Sequence, residues 1–113
     1  MKTETMNAVF LALASPHRRR MLDILVEMPG CNVNDVAKYF DMSRIAVMKH
    51  LRVLEEAELI VSEKVGRSRE MHFNVAPIQA IHDRWSTEYS RFWSGQVMDI
   101  KYAAEQAVAK EKP

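Results

Sequence analysis

Residues 41–75 read DMSRIAVMKHLRVLEEAELIVSEKVGRSREMHFNV, and this stretch decides the fold. Its first half repeats apolar residues at helical spacing, with Val47, Leu51 and Leu54 on one side. Its second half alternates apolar and polar residues around a glycine turn, which is typical of a β-hairpin. The stretch therefore predicts a helix followed at once by a two-stranded hairpin over 59–75.

The sequence before this stretch predicts three more helices. The first covers about 4–14, and the second starts at Pro16, where a missing N–H costs nothing, and ends at Pro29. Asn32 is a natural N-cap for a short third helix over 33–40. The apolar spacing of the second helix predicts that its buried residues are Met21, Leu22, Leu25 and Val26.

The sequence after the hairpin predicts one long helix over 77–110. It contains Gly95 as its single glycine and no proline after Pro77, and at 1.5 Å per residue it would be about 45 Å long. The predicted fold is mainly α with a small β-hairpin. It is a winged helix-turn-helix in a single domain over 1–113, with the helix-turn-helix at 33–57 and a long C-terminal dimerisation helix.

The predicted fourth helix carries an unusual distribution of charge. The net charge of the chain is only +1, yet the residues between Met42 and Leu54 include three basic side chains and no acidic one. DNA phosphates would repel a carboxylate on such a face, so the pattern favours a helix that enters the major groove. The alternative is an ordinary solvated helix face. The hairpin tip, KVGRSR, is also free of acids and fits a wing that lies along the DNA backbone or enters the minor groove.

Roles can be assigned to the residues of this face. Arg44 and Lys49 are expected to bind guanine or phosphate, and Ile45 and Met48 are expected to contact thymine methyl groups. The remaining residues are expected to contact the backbone. The predicted DNA-binding residues are Ser43, Arg44, Ile45, Met48, Lys49, His50 and Arg52 on the helix, with Lys64, Arg67 and Arg69 on the wing.

Three segments together resemble the ArsR/SmtB winged-helix repressors: LASPHRRRMLDIL, SRIAVMKHLRVLEEAELI and GRSREMHFNV. The resemblance covers about 6–75 well and the last helix more loosely. It implies a homodimeric repressor that binds an inverted repeat in double-stranded DNA and is released by an inducer, such as a small molecule that the sequence does not identify. Two positions depart from the family pattern. Met48 replaces a small polar residue, and Glu58 replaces the glycine that closes the recognition helix.

Many members of that family bind metals through paired cysteines or His/Asp pairs, but the sequence here predicts no metal site and no cofactor. The third helix contains no cysteine, and His82 and Asp83 are adjacent, so they do not share a helical face. Cys31 is alone, and a buried or plain loop thiol is favoured over a thiol sensor. The sequence contains no recognisable catalytic motif, so we do not expect an enzyme.

Aromatic and aliphatic residues on the last helix exceed what one small domain can bury. We expect this helix and the first one to form a twofold interface, with the alternatives that the stripe packs within its own subunit or lines a ligand pocket. The predicted interface residues are Met6, Val9, Phe10, Leu13, Ile81, Trp85, Tyr89, Phe92 and Trp93. The main competing function is a winged-helix module for protein–protein contact, with the same aromatic helix as its docking surface.

The sequence favours the cytoplasm. No apolar run approaches the roughly 20 residues that a membrane helix needs, so no membrane partner is expected. The N-terminal MKTETMNAVFLALAS is interpreted as a helix of the fold and not as a leader. The single cysteine fits a reducing compartment.

Overall fold

The computed structural model describes residues 1–86 and 88–111, apart from the side chains of 88–90 and 111. The chain divides into two compact units, Met1–Ala80 and Ile81–Pro113. The elements are α1 Thr3–Leu13, α2 Pro16–Glu27, α3 Val33–Ala37, α4 Arg44–Glu56, β1 Ile60–Val65, β2 Ser68–Phe73, α5 Ala76–Trp85 and α6 Glu88–Glu111. Within the described residues, no helix combines the length and apolar character that a membrane crossing needs.

Three polar residues cap the starts of three helices, and one of them is Asn32, as the sequence predicted. The Ser15 hydroxyl accepts from the Arg18 N–H at 3.4 Å, and Ser43 accepts from the Ala46 N–H at 3.1 Å. Asn32 forms a full capping box, because its side chain accepts from the Asp35 N–H at 2.9 Å while its own N–H donates to the Asp35 carboxylate at 3.0 Å. These bonds fix where α2, α3 and α4 begin.

The core of the first unit lies between α1, α2, α4 and the hairpin. The prediction that Val47, Leu51 and Leu54 face inward is confirmed, since all three are buried. On α2 the prediction was wrong in one residue, because Ile24 is buried and Val26 is exposed. The other fully or nearly fully buried apolar side chains include Val9, Ala12, Met21, Leu22, Leu25, Val36, Leu59, Ile60 and Met71.

The hairpin has an inner and an outer face. Its strands pair antiparallel with Ile60 opposite Phe73 and Ser62 opposite Met71, and these residues form the inner face. The segment before α3 adds to the sheet, because the Gly30 N–H donates to the Met71 carbonyl at 2.9 Å and the Met71 N–H donates to the Cys31 carbonyl at 3.0 Å. The middle of β2 is therefore hydrogen-bonded on both edges, to β1 on one side and to residues 30 and 31 on the other.

Two predicted helices have different bounds in the structure. Helix α3 ends at Ala37 instead of Phe40, because the chain tightens into i to i−3 bonds, with the Phe40 N–H donating to the Ala37 carbonyl at 3.2 Å. The single helix predicted over 77–110 is divided into α5 and α6, and Ser86 is not helical. Serine competes for backbone hydrogen bonds and weakens a helix interior, which the apolar pattern alone did not reveal.

Helix α4 ends in a left-handed turn at Glu58, where φ is +60°. The Leu59 N–H donates to the Leu54 carbonyl at 3.0 Å and the Glu58 N–H donates to the Glu55 carbonyl at 2.9 Å, which is the bond pattern of a Schellman motif. Leu54 and Leu59 are both fully buried beneath it. The Asn74 side chain then binds the Glu58 carbonyl at 2.8 Å, so this turn also joins α4 to the chain after the hairpin.

Candidate nucleic-acid interface

One side of α4 is free for a ligand, since its apolar residues on the other side fill the core. Arg44, Ile45, Lys49 and Arg52 are exposed, and Ile45 keeps 67% of its surface. Met48 lies between them and keeps 36%. The face therefore offers cationic side chains at both ends and apolar side chains between them, as the sequence predicted.

A polar cleft of about 230 Å³ connects the N-terminal end of this face with the wing. Its lining includes Arg44, Arg67 and Arg69. Arg44 is positioned by two contacts: its Nε donates to the Asn34 side-chain oxygen at 3.0 Å, and its Nη1 lies 3.2 Å from the Met48 sulfur. Three cations from two separate elements thus converge on one opening.

A second cleft of about 180 Å³ continues this surface along α4. It shares Arg69 with the first cleft and adds Arg52, above a floor that includes Met48 and Met71. Glu55 also lines it, so this acid lies nearer the basic surface than the sequence suggested. The Ser62 hydroxyl donates a short hydrogen bond to the Glu55 carboxylate, which ties the wing to α4.

His50 was predicted to contact DNA, but the structure turns its ring toward α2. Its Nδ1 lies 3.2 Å from Arg18 Nη1, and its ring centroid lies 5.8 Å from that of His17. Arginine can only donate, so Nδ1 accepts and the imidazole is neutral. Burial, Arg18 and His17 together lower the pKa of His50, which favours the same neutral form. His50 is therefore better described as a packing residue than as a phosphate ligand.

The side chains of Arg18, Arg19 and Arg20 all make contacts within the protein. Arg18 donates to the carbonyls of Ala12 and Leu11 at 2.8 and 2.9 Å, and Arg19 donates to the Leu13 carbonyl at 2.7 Å. These cations satisfy the last carbonyls of α1, where the helix dipole is negative. The Arg20 guanidinium lies 5.2 Å from the centre of the Phe40 ring. The three arginines hold α1, α2 and the turn after α3 together.

The wing residues Lys64, Arg67 and Arg69 are all exposed and are therefore accessible to a ligand. Ser43 is exposed as well, but its oxygen already accepts from the helix backbone, so it retains only its hydroxyl proton for a phosphate. Sequence reasoning missed Asn34 and Ser68, which line the polar cleft beside the arginines. The proximity of these two residues to the arginines results from tertiary contacts, and the sequence indicates only that they are polar.

The predicted interface residues differ in their exposure. Val9 has no exposed surface and cannot contact a partner, because it lies in the core of its own subunit. Met6 and Leu13 are half-buried and Phe10 is exposed on α1, where Leu11 is exposed too. In the second unit, Trp85, Phe92 and Trp93 are exposed and Ile81 is half-buried. The Tyr89 side chain lies outside the described residues.

Cys31 is buried, as the favoured interpretation expected. Burial and the nearby Asp35 carboxylate raise the pKa of its thiol, although a backbone hydrogen bond acts in the opposite direction. A raised pKa leaves little thiolate at neutral pH, and thiolate is the reactive form. The environment therefore disfavours a thiol sensor.

Comparison with known proteins agrees with this geometry. A family described as a helix-turn-helix domain matches residues 13–63. The transcriptional repressor SdpR of Bacillus subtilis (strain 168) is 32% identical over 74 residues, which cover 66% of this chain and 81% of SdpR. YuzN from the same organism, an uncharacterised HTH-type transcriptional regulator, is 34% identical over 85 residues, which cover 70% of this chain and 92% of YuzN.

A solved structure extends the likeness to the whole fold. The crystal structure of an ArsR family transcriptional regulator matches with a TM-score of 0.65 and 28% identity, covering 100% of this chain and 98% of that one. The family shared by these proteins consists of transcription regulators and not of enzymes. With its basic recognition helix and adjoining wing, the chain belongs to the ArsR/SmtB-type winged-helix family of DNA-binding transcriptional regulators.

Proposed function

We propose that the chain is a repressor that binds a palindromic operator as a homodimer, with α4 in the major groove and the hairpin on the adjoining backbone. The observation that carries this proposal is the shared cleft, which is lined by Arg44 of α4 and by Arg67 and Arg69 of the wing. A phosphate at this cleft would be within reach of both elements. Because the Ser62–Glu55 bond fixes the wing relative to α4, little rearrangement is needed on binding.

The contacts divide into two kinds. Ile45 and Met48 present apolar groups to the groove, suited to thymine methyl groups, and Arg44 and Lys49 suit guanine or phosphate. Arg52 and the wing cations Lys64, Arg67 and Arg69 suit phosphates. The proposal leaves out His50, whose ring is engaged by Arg18.

A homodimer is the second part of the proposal. The exposed aromatic side chains of α6, such as Phe92 at 62% of its surface, are too large a set for a monomer to leave in water. We propose that they and the exposed part of α1 pack against a second copy in an isologous interface. Two recognition helices about 34 Å apart would then enter successive major grooves.

In the first step of the test, genomic DNA fragments that bind to the wild-type protein are isolated and sequenced to identify an operator. Affinity for that operator is then measured by fluorescence anisotropy at several salt concentrations. Lys49→Glu combined with Arg52→Glu is expected to lower affinity at least 100-fold and to flatten the slope of log K against log salt, which is about −0.9 per phosphate contact. Lys110→Glu, a reversal at the far end of α6, is the control and should change little.

Oligomeric state is measured separately by light scattering on size-exclusion fractions. Wild type should elute as a dimer and Phe92→Glu as a monomer with weakened operator binding. A wild-type monomer that binds no DNA fragment would reject the repressor and favour the protein-docking module, since its aromatic helix would then be free for another protein. Unchanged operator binding by the Lys49/Arg52 double variant would reject the proposed DNA surface.

A further inference from the structure

The outer face of the wing carries two carboxylates and an imidazole that the DNA surface does not use. In the hairpin register Glu63 lies directly opposite Glu70, and Val61 lies opposite His72. Glu63, Glu70 and His72 therefore share one face, opposite to the inner face that Ser62 and Met71 occupy. One ligand atom from each of the three lies within 4.8 Å of the others.

The pair of glutamates is unfavourable as it stands. Like charges directly opposite each other on two strands destabilise a hairpin. Among the described residues, the ion pairs are His82–Asp83 and Lys101–Glu105, so neither Glu63 nor Glu70 has a cationic partner there. A bound cation would convert this repulsion into attraction.

The backbone beneath the group is well supported. β2 carries two of the three side chains and is bonded to β1 on one edge and to residues 30 and 31 on the other. Gly30 passes close below them: a Cβ built at this position would stand 3.6 Å from the His72 ring and 3.7 Å from a Glu70 carboxylate oxygen. Glu70 and His72 thus converge over a residue without a side chain, and Glu63 reaches toward them from the exposed strand.

From this geometry we infer a divalent transition-metal site of the zinc type, formed by Glu63, Glu70 and His72 with water completing the coordination. One nitrogen and two carboxylate oxygens form a donor set that suits zinc. In a tetrahedral site with bonds of about 2.1 Å, ligand atoms are about 3.4 Å apart. Because the ligand atoms lie within 4.8 Å of one another, side-chain rotations that bring them together by up to about 1.4 Å would reach this spacing.

The test uses metal-free full-length protein and zinc ions, with a chromophoric chelator as competitor, in the absence of DNA. Wild type should bind one zinc ion per chain, and Glu63→Gln, Glu70→Gln and His72→Gln should each weaken that binding at least tenfold. Glu56→Gln and His82→Gln are matched controls at exposed positions outside the group, and both should bind like wild type. A wild type that binds no zinc, or a zinc affinity that survives all three substitutions, would overturn the site.

Thermal unfolding supplies a second readout that does not depend on the chelator. Zinc should raise the melting temperature of wild type and leave that of Glu63→Gln unchanged. Without zinc, Glu63→Gln should melt above wild type because the cross-strand repulsion is gone. A Glu63→Gln variant that melts below metal-free wild type would contradict the electrostatic argument. These measurements are independent of operator binding, so they can fail or succeed separately from the proposed repressor function.

Discussion

Replacement of Glu58 by glycine should stabilise the protein, although it removes a charged side chain at the end of the recognition helix. Glu58 has φ +60°, a left-handed conformation that costs a residue with a Cβ roughly 1–2 kcal/mol. Glycine adopts it freely, but its greater freedom in the unfolded chain costs about 0.5–1 kcal/mol. The Glu58 side chain is exposed, so few contacts are lost.

Taken at the middle of the two ranges, the difference between these terms is a gain of about 0.75 kcal/mol in the free energy of unfolding. For a domain of this size that corresponds to a rise in melting temperature of roughly 2–6 °C. The gain should arise without any change in the backbone bonds that end α4, because the Glu58 N–H and carbonyl are present in either variant. The Asn74 side chain would still bind that carbonyl.

The assay is urea denaturation followed by circular dichroism, at one fixed protein concentration because association would alter the apparent stability. Glu58→Ala is the control, since alanine also lacks the carboxylate but retains a Cβ in the left-handed turn. Glu58→Gly should be more stable than both wild type and Glu58→Ala. If the glycine and alanine variants are equally stable, backbone strain at this turn contributes nothing and the reasoning fails.

Three further predictions follow from the caps and the titrating groups. Asn32→Ala should cost about 1 kcal/mol in urea denaturation because it removes a capping box. Asn34→Ala, in the same helix, loses only an exposed side-chain bond to Arg44 and should cost less; equal losses would contradict the role of the cap. The pKa of His50 is lower in the folded than in the unfolded state, so its contribution to stability is present above about pH 6.5 and lost as pH falls below that value. His50→Gln should therefore lose less stability than wild type between pH 7 and pH 5, and parallel curves would exclude His50 as the cause. The raised pKa and burial of Cys31 predict that iodoacetamide modifies the folded protein far more slowly than the urea-unfolded chain, and similar rates in both states would show that the thiol is accessible.

The sequence was most informative where periodicity and capping residues agree. Val47, Leu51 and Leu54 are buried as their spacing required, and Ser43 and Asn32 cap the helices that follow them. The winged helix-turn-helix could be predicted from these signals together with the alternation on both sides of Gly66. The sequence identified Glu58 as a departure from the family's glycine but did not specify the conformation of the helix end, and the structure shows φ +60° there.

The errors arose where tertiary contacts decide. The helical spacing places His50 at the edge of the apolar stripe, but only the structure shows that its ring turns toward Arg18. The cationic run at 18–20, to which the sequence assigned no role, contacts the carbonyls at the end of α1 and the ring of Phe40. The grouping of Glu63, Glu70 and His72 depends on strand register, which spacing along the chain does not supply.

The hydrogen bonds of Arg18 show that this residue stabilises the fold and is not among the residues proposed to contact DNA bases. Its guanidinium joins two carbonyls of α1 to a ring on α4, so a substitution there would alter folding before it altered affinity. By contrast, Ile45 keeps 67% of its surface and Met48 keeps 36%, and neither belongs to the buried core. Substitution of a few exposed side chains on α4 could therefore change the DNA target while the fold stays the same. Met48 is the first position to randomise when engineering operator preference.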